Sequence, residues 1–148
     1  MNKIVAEIDH LVYLVKYDIC GPSTPYREIA RRVGVKFLGK GVARATYLID
    51  GKAYKFQRNS NSLQTKREMD NYVKYKKMMQ ADPDAFLGWG IPEMEFIETG
   101  NGRIVVAAEY IPNFHGIEAC HDNPFECFDA HDKNVFLYNG IKYLVDLG

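Results

Sequence analysis

The chain lacks any apolar run approaching the roughly 20 residues of a membrane span, and Met1-Asn2-Lys3 leads into no signal-peptide core. Cysteine is scarce: three in 148 residues, an odd count in a chain long enough to fold without staples. That argues against a disulfide framework and fits a reducing cytosol. Net charge is missing too, because 19 basic residues balance 19 acidic ones, so a generally basic surface for nucleic acid is not indicated. The expectation is a soluble, cytoplasmic protein engaging neither membrane nor nucleic acid. What is present is globular in composition, 47% apolar and 26% charged, and 17.0 kDa suffices for one domain with a core but not for two independent ones.

Residues 3–19 read as an amphipathic helix with Ile4, Ile8, Leu11, Val12 and Val15 near one face. Cys20-Gly21-Pro22-Ser23 stops it, and Thr24-Pro25 opens a short second helix to about Arg32. From Val33 the period becomes that of strands: 35–38, then Gly39-Lys40-Gly41, then 43–49, the turn Asp50-Gly51, and 52–57. Asp-Gly is a hairpin turn and sets Thr46 opposite Lys55. Gly39-x-Gly41 lets backbone approach a phosphate, and Lys55 would bring a positive charge to the same oxygens. Residues 61–80 make a helix, with Ser62 or Asn61 as cap and Glu68 on it. Asp82-Pro83-Asp84 ends that helix, and 88–92 read as a loop. Strands 93–98 and 103–109 follow, joined at Gly100-Asn101-Gly102, for five antiparallel strands in all.

At the C-terminal end, Asn139-Gly140 lies between two β-prone runs and is a strong two-residue hairpin signal. Folding there sets Tyr138 against Ile141, Phe136 against Tyr143 and Asn134 against Val145, and brings Asn134 near Asp146. An amide oxygen beside a carboxylate is a hard-oxygen pair suited to Mg²⁺. Asp129 lies five residues before Asn134, on the loop leading in. A competing cluster occupies the same region: Cys120, His121, Cys127 and His131, with His115 just before. Cys127 and His131 are four apart, so zinc enters the count. The chain has no Cys-x-x-Cys or His-x-x-x-His pair there, and Pro124 interrupts the segment, so buried thiols and a hydrogen-bonded histidine explain it without metal. A Cys-His hydrolase lacks its flanking pattern. Asp132 reads as a surface charge or loop cap, and His131 as a residue that fixes the loop.

Asp129-x4-Asn134, the hairpin, and Asp146-Leu147-Gly148 together resemble the catalytic loop and metal-binding Asp-x-Gly of the protein-kinase-like superfamily. Asp129-Ala-His131-x-x-Asn134 is similar to the aminoglycoside and small-molecule phosphotransferase branch, although Cys127-Phe128 replaces the expected His-Arg or His-Gly. Gly39-x-Gly41 with Lys55 resembles the kinase glycine loop and strand lysine, with Arg44 in place of the third glycine. The resemblance implies an α+β fold: a helical extension at 1–32, a kinase-like small lobe at 33–110, and a minimal, truncated large lobe at 111–148. It further implies ATP and Mg²⁺ as cofactors. Gly39 and Gly41 would cover the phosphates, Glu68 would orient Lys55, and backbone at Glu109 and Ile111 would read the adenine edge. Asn134 and Asp146 would hold the metal, and Asp129 would accept the proton of an attacking hydroxyl. The implied activity is transfer of the γ-phosphate to the chain itself, a partner protein or a small molecule. The alternative is a non-catalytic regulator acting through a partner protein. A missing large-lobe surface would also suit a partner or self-association.

Overall fold

The computed structural model describes residues 2–59, 63–112, 124–125 and 134–147, which form two compact units. The first comprises residues up to 65 together with 94–110, and the second 66–93 with 111–148. The fold is α+β. No helix among the described residues is long and apolar enough to cross a membrane.

The first unit is built on an antiparallel sheet of β1 (Lys36–Lys40), β2 (Arg44–Ile49), β3 (Lys52–Gln57), β5 (Met94–Glu98) and β6 (Ile104–Glu109), in the order β1-β2-β3-β6-β5. The β2–β3 hairpin turns on Asp50 and Gly51 with φ of 49° and 77°, the paired positive values that an Asp-Gly turn supplies. Its register sets Thr46 against Lys55, as the turn chemistry predicts. Two helices precede the sheet, α1 (Lys3–Leu14) and α2 (Thr24–Val33). Asn2 caps α1 through its side-chain oxygen on the Ile4 amide, and Gly34 closes α2 at φ 85°.

Both helices pack on one sheet face. The core there joins Val5, Ile8 and Val12 of α1, and Tyr26 and Ile29 of α2, to Tyr47, Phe56 and Val105. Strand alternation therefore turns Tyr54 and Phe56 toward the helices and Lys55 to the opposite face.

Two helix expectations need correction. The first helix ends at Leu14, not at residue 19, because Val15 is already extended. Beyond it the chain serves partners elsewhere, with the Tyr17 hydroxyl bonding the Val42 carbonyl and the Asp18 carbonyl bonding Arg58. The buried face of α1 is also rotated: Val5 is enclosed where Ile4 was expected, and Asp9 lies on the inside. Asp9 can be there because Arg103 meets it, Nε and Nη2 donating to Oδ1 at 3.2 and 3.1 Å.

The second unit contains α3 (Leu63–Ala81) from Lys66 onward, and a three-stranded sheet of β4 (Trp89–Gly90), β7 (Val135–Tyr138) and β8 (Ile141–Leu144) in the order β4-β8-β7. Residues 88–92 were expected to be all loop. Trp89 and Gly90 instead pair in parallel with Lys142 and Tyr143. Two residues are too few to carry a periodicity, so the pairing is visible only with its partner present. The β7–β8 hairpin turns on Asn139 and Gly140 at φ 52° and 79°, with Phe136 opposite Tyr143 and Tyr138 opposite Ile141 as expected. Phe125 anchors this unit, fully enclosed by the rings of Tyr75, Phe86 and Trp89 at 5.1, 5.1 and 6.0 Å.

Candidate functional site

Each unit carries some of the residues that the sequence singles out. In the first, Lys55 sits on β3 opposite Thr46 on one side and Val106 on the other, and it is buried. Gly39 occupies a β-bulge: Phe37 pairs with Tyr47 and Gly39 with Thr46, so Leu38 is the extra residue. Its φ of 150° is one that L side chains rarely adopt. Gly41 lies in the open turn between β1 and β2, its amide bonded to the Arg44 carbonyl at 2.9 Å. Glu109 is the exposed last residue of β6.

In the second unit, α3 carries Glu68, whose side chain is wholly buried. Its Oε2 accepts the Leu147 amide at 2.9 Å. Three residues on, on the same helix face, Asn71 donates its Nδ2 to the Leu147 carbonyl at 2.6 Å. One helix thus holds both ends of the Leu147 residue. On the other side of Asp146, the Val145 amide donates to the Asn134 carbonyl at 2.9 Å, closing the open end of the hairpin. Both neighbours of Asp146 are therefore fixed through their backbones, which restricts where its carboxylate can go. Ile111, also in this unit, is buried.

The chemistry of this donor set suits a hard divalent cation: an amide oxygen and a carboxylate, with no thiol or imidazole among the residues concerned. No cluster of three or more histidine, cysteine, aspartate or glutamate residues suited to a metal occurs among the described residues. Asp129, His131 and Asp132 lie outside the described residues, as do the cysteine–histidine cluster and the expected cap of α3 at 61–62.

Sequence reasoning passed over three groups that the structure brings forward. Asn71 joins Glu68 on Leu147, and an i, i+3 spacing on the best helix is the signal that could have found it. Arg58, directly after β3, is 2% exposed and bonds the β1–β2 turn. The Asp9–Arg103 pair left no local pattern at all. Beside that pair, a cavity of about 240 Å³ is lined by Asp9, His10, Tyr13, Thr99 and Arg103 among others. None of the expected site residues lines it. Elsewhere in the second unit, Glu93 accepts from Lys76 and Tyr72 at 2.8 and 2.9 Å. These two hydrogen bonds, that of Lys76 first, hold its carboxyl below the ordinary value, and the bond to Glu93 raises the Lys76 ammonium.

Comparison with protein-family models, curated proteins and solved structures returns no match for this chain.

Proposed function

We propose that the chain is a kinase-like phosphotransferase that binds ATP with Mg²⁺ and moves the γ-phosphate to a hydroxyl acceptor. The observation that supports it best is the hold of α3 on the Asp146-Leu147 segment. A carboxylate is costly to bury, and Glu68 is kept buried against the amide that follows the metal-type aspartate. That aspartate in turn ends a hairpin begun at Asn134.

In this reading Lys55 supplies positive charge to the phosphate oxygens, and Glu68 is the carboxylate that the resemblance assigns to it. Gly39 and Gly41 cover the phosphates, while backbone groups at Glu109 and Ile111 take the adenine edge. Asn134 and Asp146 would hold Mg²⁺, which when bound neutralises charge on the phosphates. Asp129 takes the proton of the acceptor hydroxyl as its oxygen bonds phosphorus and the bond to the ADP oxygen breaks. Such transfer is mostly positioning and charge neutralisation, so these few groups are chemically sufficient. The acceptor is the chain itself, a partner protein or a small molecule.

Incubation with γ-labelled ATP and Mg²⁺, alone and with host lysate, tests this beside Asp129→Ala. The reading expects label on an acceptor, lost in the variant while nucleotide binding persists. Binding without transfer would favour the non-catalytic regulator acting through a partner protein or a second copy. For such a regulator, the exposed Val73, Leu87 and Leu137 are available apolar side chains. Neither binding nor transfer would refute the proposal.

A further inference from the structure

The cavity of about 240 Å³ beside Asp9 lies wholly within the first unit and is lined by none of the residues given a part in phosphoryl transfer. One wall is a stripe of α1. Ala6, Asp9, His10 and Tyr13 follow the i, i+3, i+4, i+7 spacing that puts side chains on one helix face. The other wall is the β5–β6 connection, with Thr99, Gly100 and Arg103. That connection is fixed, because the Thr99 amide and hydroxyl both donate to the Arg103 carbonyl, at 2.8 and 3.2 Å.

The polar groups around the cavity are unequally used. Both Arg103 donors fall on Asp9 Oδ1, and Oδ2 takes no hydrogen bond from any described residue. Oδ2 is not among the atoms sealed from solvent, and Asp9 lines the cavity, so that oxygen opens there. The His10 ring and the Tyr13 hydroxyl, on exposed residues, likewise have no hydrogen-bond partner among the described residues. Arg103 itself presents no donor to the cavity. It is buried, its Nη2 also serves the Gln57 carbonyl, and its Nη1 is sealed from solvent. A ligand therefore meets an oxygen that only accepts, an imidazole and a phenol that each donate and accept, and the apolar surface of the Tyr13 ring and the Ala6 methyl.

Charge decides the class of ligand. Arg103 stands behind the Asp9 carboxylate and compensates it. An anion would meet Oδ2 first, and a cation would be opposed by the guanidinium behind it, so neither sign is drawn in. A neutral ligand fits, provided that it brings a donor to Oδ2. Hydroxyl groups match best, since each donates and accepts and rotates to suit its partner. The C–H face of a saturated ring matches the face of an aromatic side chain, and a few polar groups set over apolar surface are the usual make-up of a small-molecule site.

We propose that this cavity binds a neutral, hydroxyl-rich ring of monosaccharide size. Asp9 Oδ2 accepts one hydroxyl, His10 bonds a second, and Tyr13 packs on the ring. Arg103 presets the carboxylate without touching the ligand. The site is independent of the phosphotransferase reading.

The test is amide NMR of the full chain titrated with glucose, myo-inositol, acetate, methylammonium and adenine, for wild type, His10→Ala and Tyr13→Leu. His10 is exposed and has no hydrogen-bond partner among the described residues, so His10→Ala should fold as wild type. The expected result is saturable movement of the Ala6, His10, Tyr13 and Gly100 amides with glucose or myo-inositol, weakened about fivefold by each substitution. Acetate, methylammonium and adenine should leave these amides in place. No saturable movement with either polyol, equal polyol affinity in wild type and both variants, or tighter binding of acetate, methylammonium or adenine would overturn the proposal.

Discussion

Replacing Asp9 by alanine should be among the most destabilising single changes in the first unit. Arg103 is 2% exposed, and Asp9 Oδ1 takes two of its donors. Without that carboxylate the guanidinium keeps, among the described residues, the Gln57 carbonyl at 2.7 Å and the Tyr13 ring at 5.3 Å. Among the described residues its Nη1 already has no hydrogen-bond partner, so there is no spare polar contact to absorb the loss. Breaking a buried pair by removing one member costs about 3–5 kcal/mol. The Asp9 side chain retains 11% exposure, so water can partly replace it, and the lower end, about 3 kcal/mol, is expected. For a chain of this length that is a fall in Tm of roughly 6–12 °C. In urea, with a slope of about 1–3 kcal/mol/M, the midpoint should drop by roughly 1–3 M. Far-UV circular dichroism measures both. Adding Arg103→Leu to Asp9→Ala should recover part of the loss, because the orphaned charge disappears with its partner. A loss below about 1 kcal/mol for Asp9→Ala, or a double variant whose cost equals the sum of the two singles, would refute the reasoning.

Phe125→Ala should cost about 3–5 kcal/mol, since the ring is fully enclosed by Tyr75, Phe86 and Trp89; unchanged Trp89 fluorescence on unfolding would contradict this. Carboxyl NMR titration should find Glu93 below its ordinary value, and Lys76→Met should move it back up. Because the folded value is the lower one, the stability that Glu93 contributes is present above its unfolded pKa and is lost as pH falls through the folded one. The pair is exposed, so the effect is expected to stay below about 1 kcal/mol. Asn71→Ala should cost about 1 kcal/mol and raise hydrogen exchange around Leu147, whereas unaltered exchange would remove the helix hold from the account.

The elements legible in the sequence were those specified by local chemistry. Asp50-Gly51 and Asn139-Gly140 supply the positive φ values of their turns, so the turn residues alone fixed the register of both hairpins. The second helix, read to about Arg32, stops at Val33, where Gly34 closes it in the left-handed conformation. What could not be read depends on partners far along the chain. Asp9 carries no local signal of its burial, because its partner Arg103 lies 94 residues away. The end of α1 is set by Tyr17 and Asp18 serving the β1–β2 turn and Arg58. Gly90 faces Tyr143, where an added Cβ would lie 3.0 Å from the ring, a constraint that no window around residue 90 contains. Glu68 stood out as a helix acid, but its bond to Leu147 spans 79 residues, and Asn71 beside it gave no reason for notice.

The most direct test of the central claim is calorimetric titration of the pure chain with ATP, with and without Mg²⁺, beside Asp146→Ala and Lys55→Met. The account predicts Mg²⁺-dependent binding to wild type, with a thermal shift of roughly 5–10 °C at one hundred times Kd, from about 2.7 kcal/mol of linkage. Asp146→Ala should abolish the Mg²⁺ dependence, and Lys55→Met should weaken binding about tenfold or more. Wild type that binds no ATP, or binds it equally well without Mg²⁺ and in both variants, would contradict it.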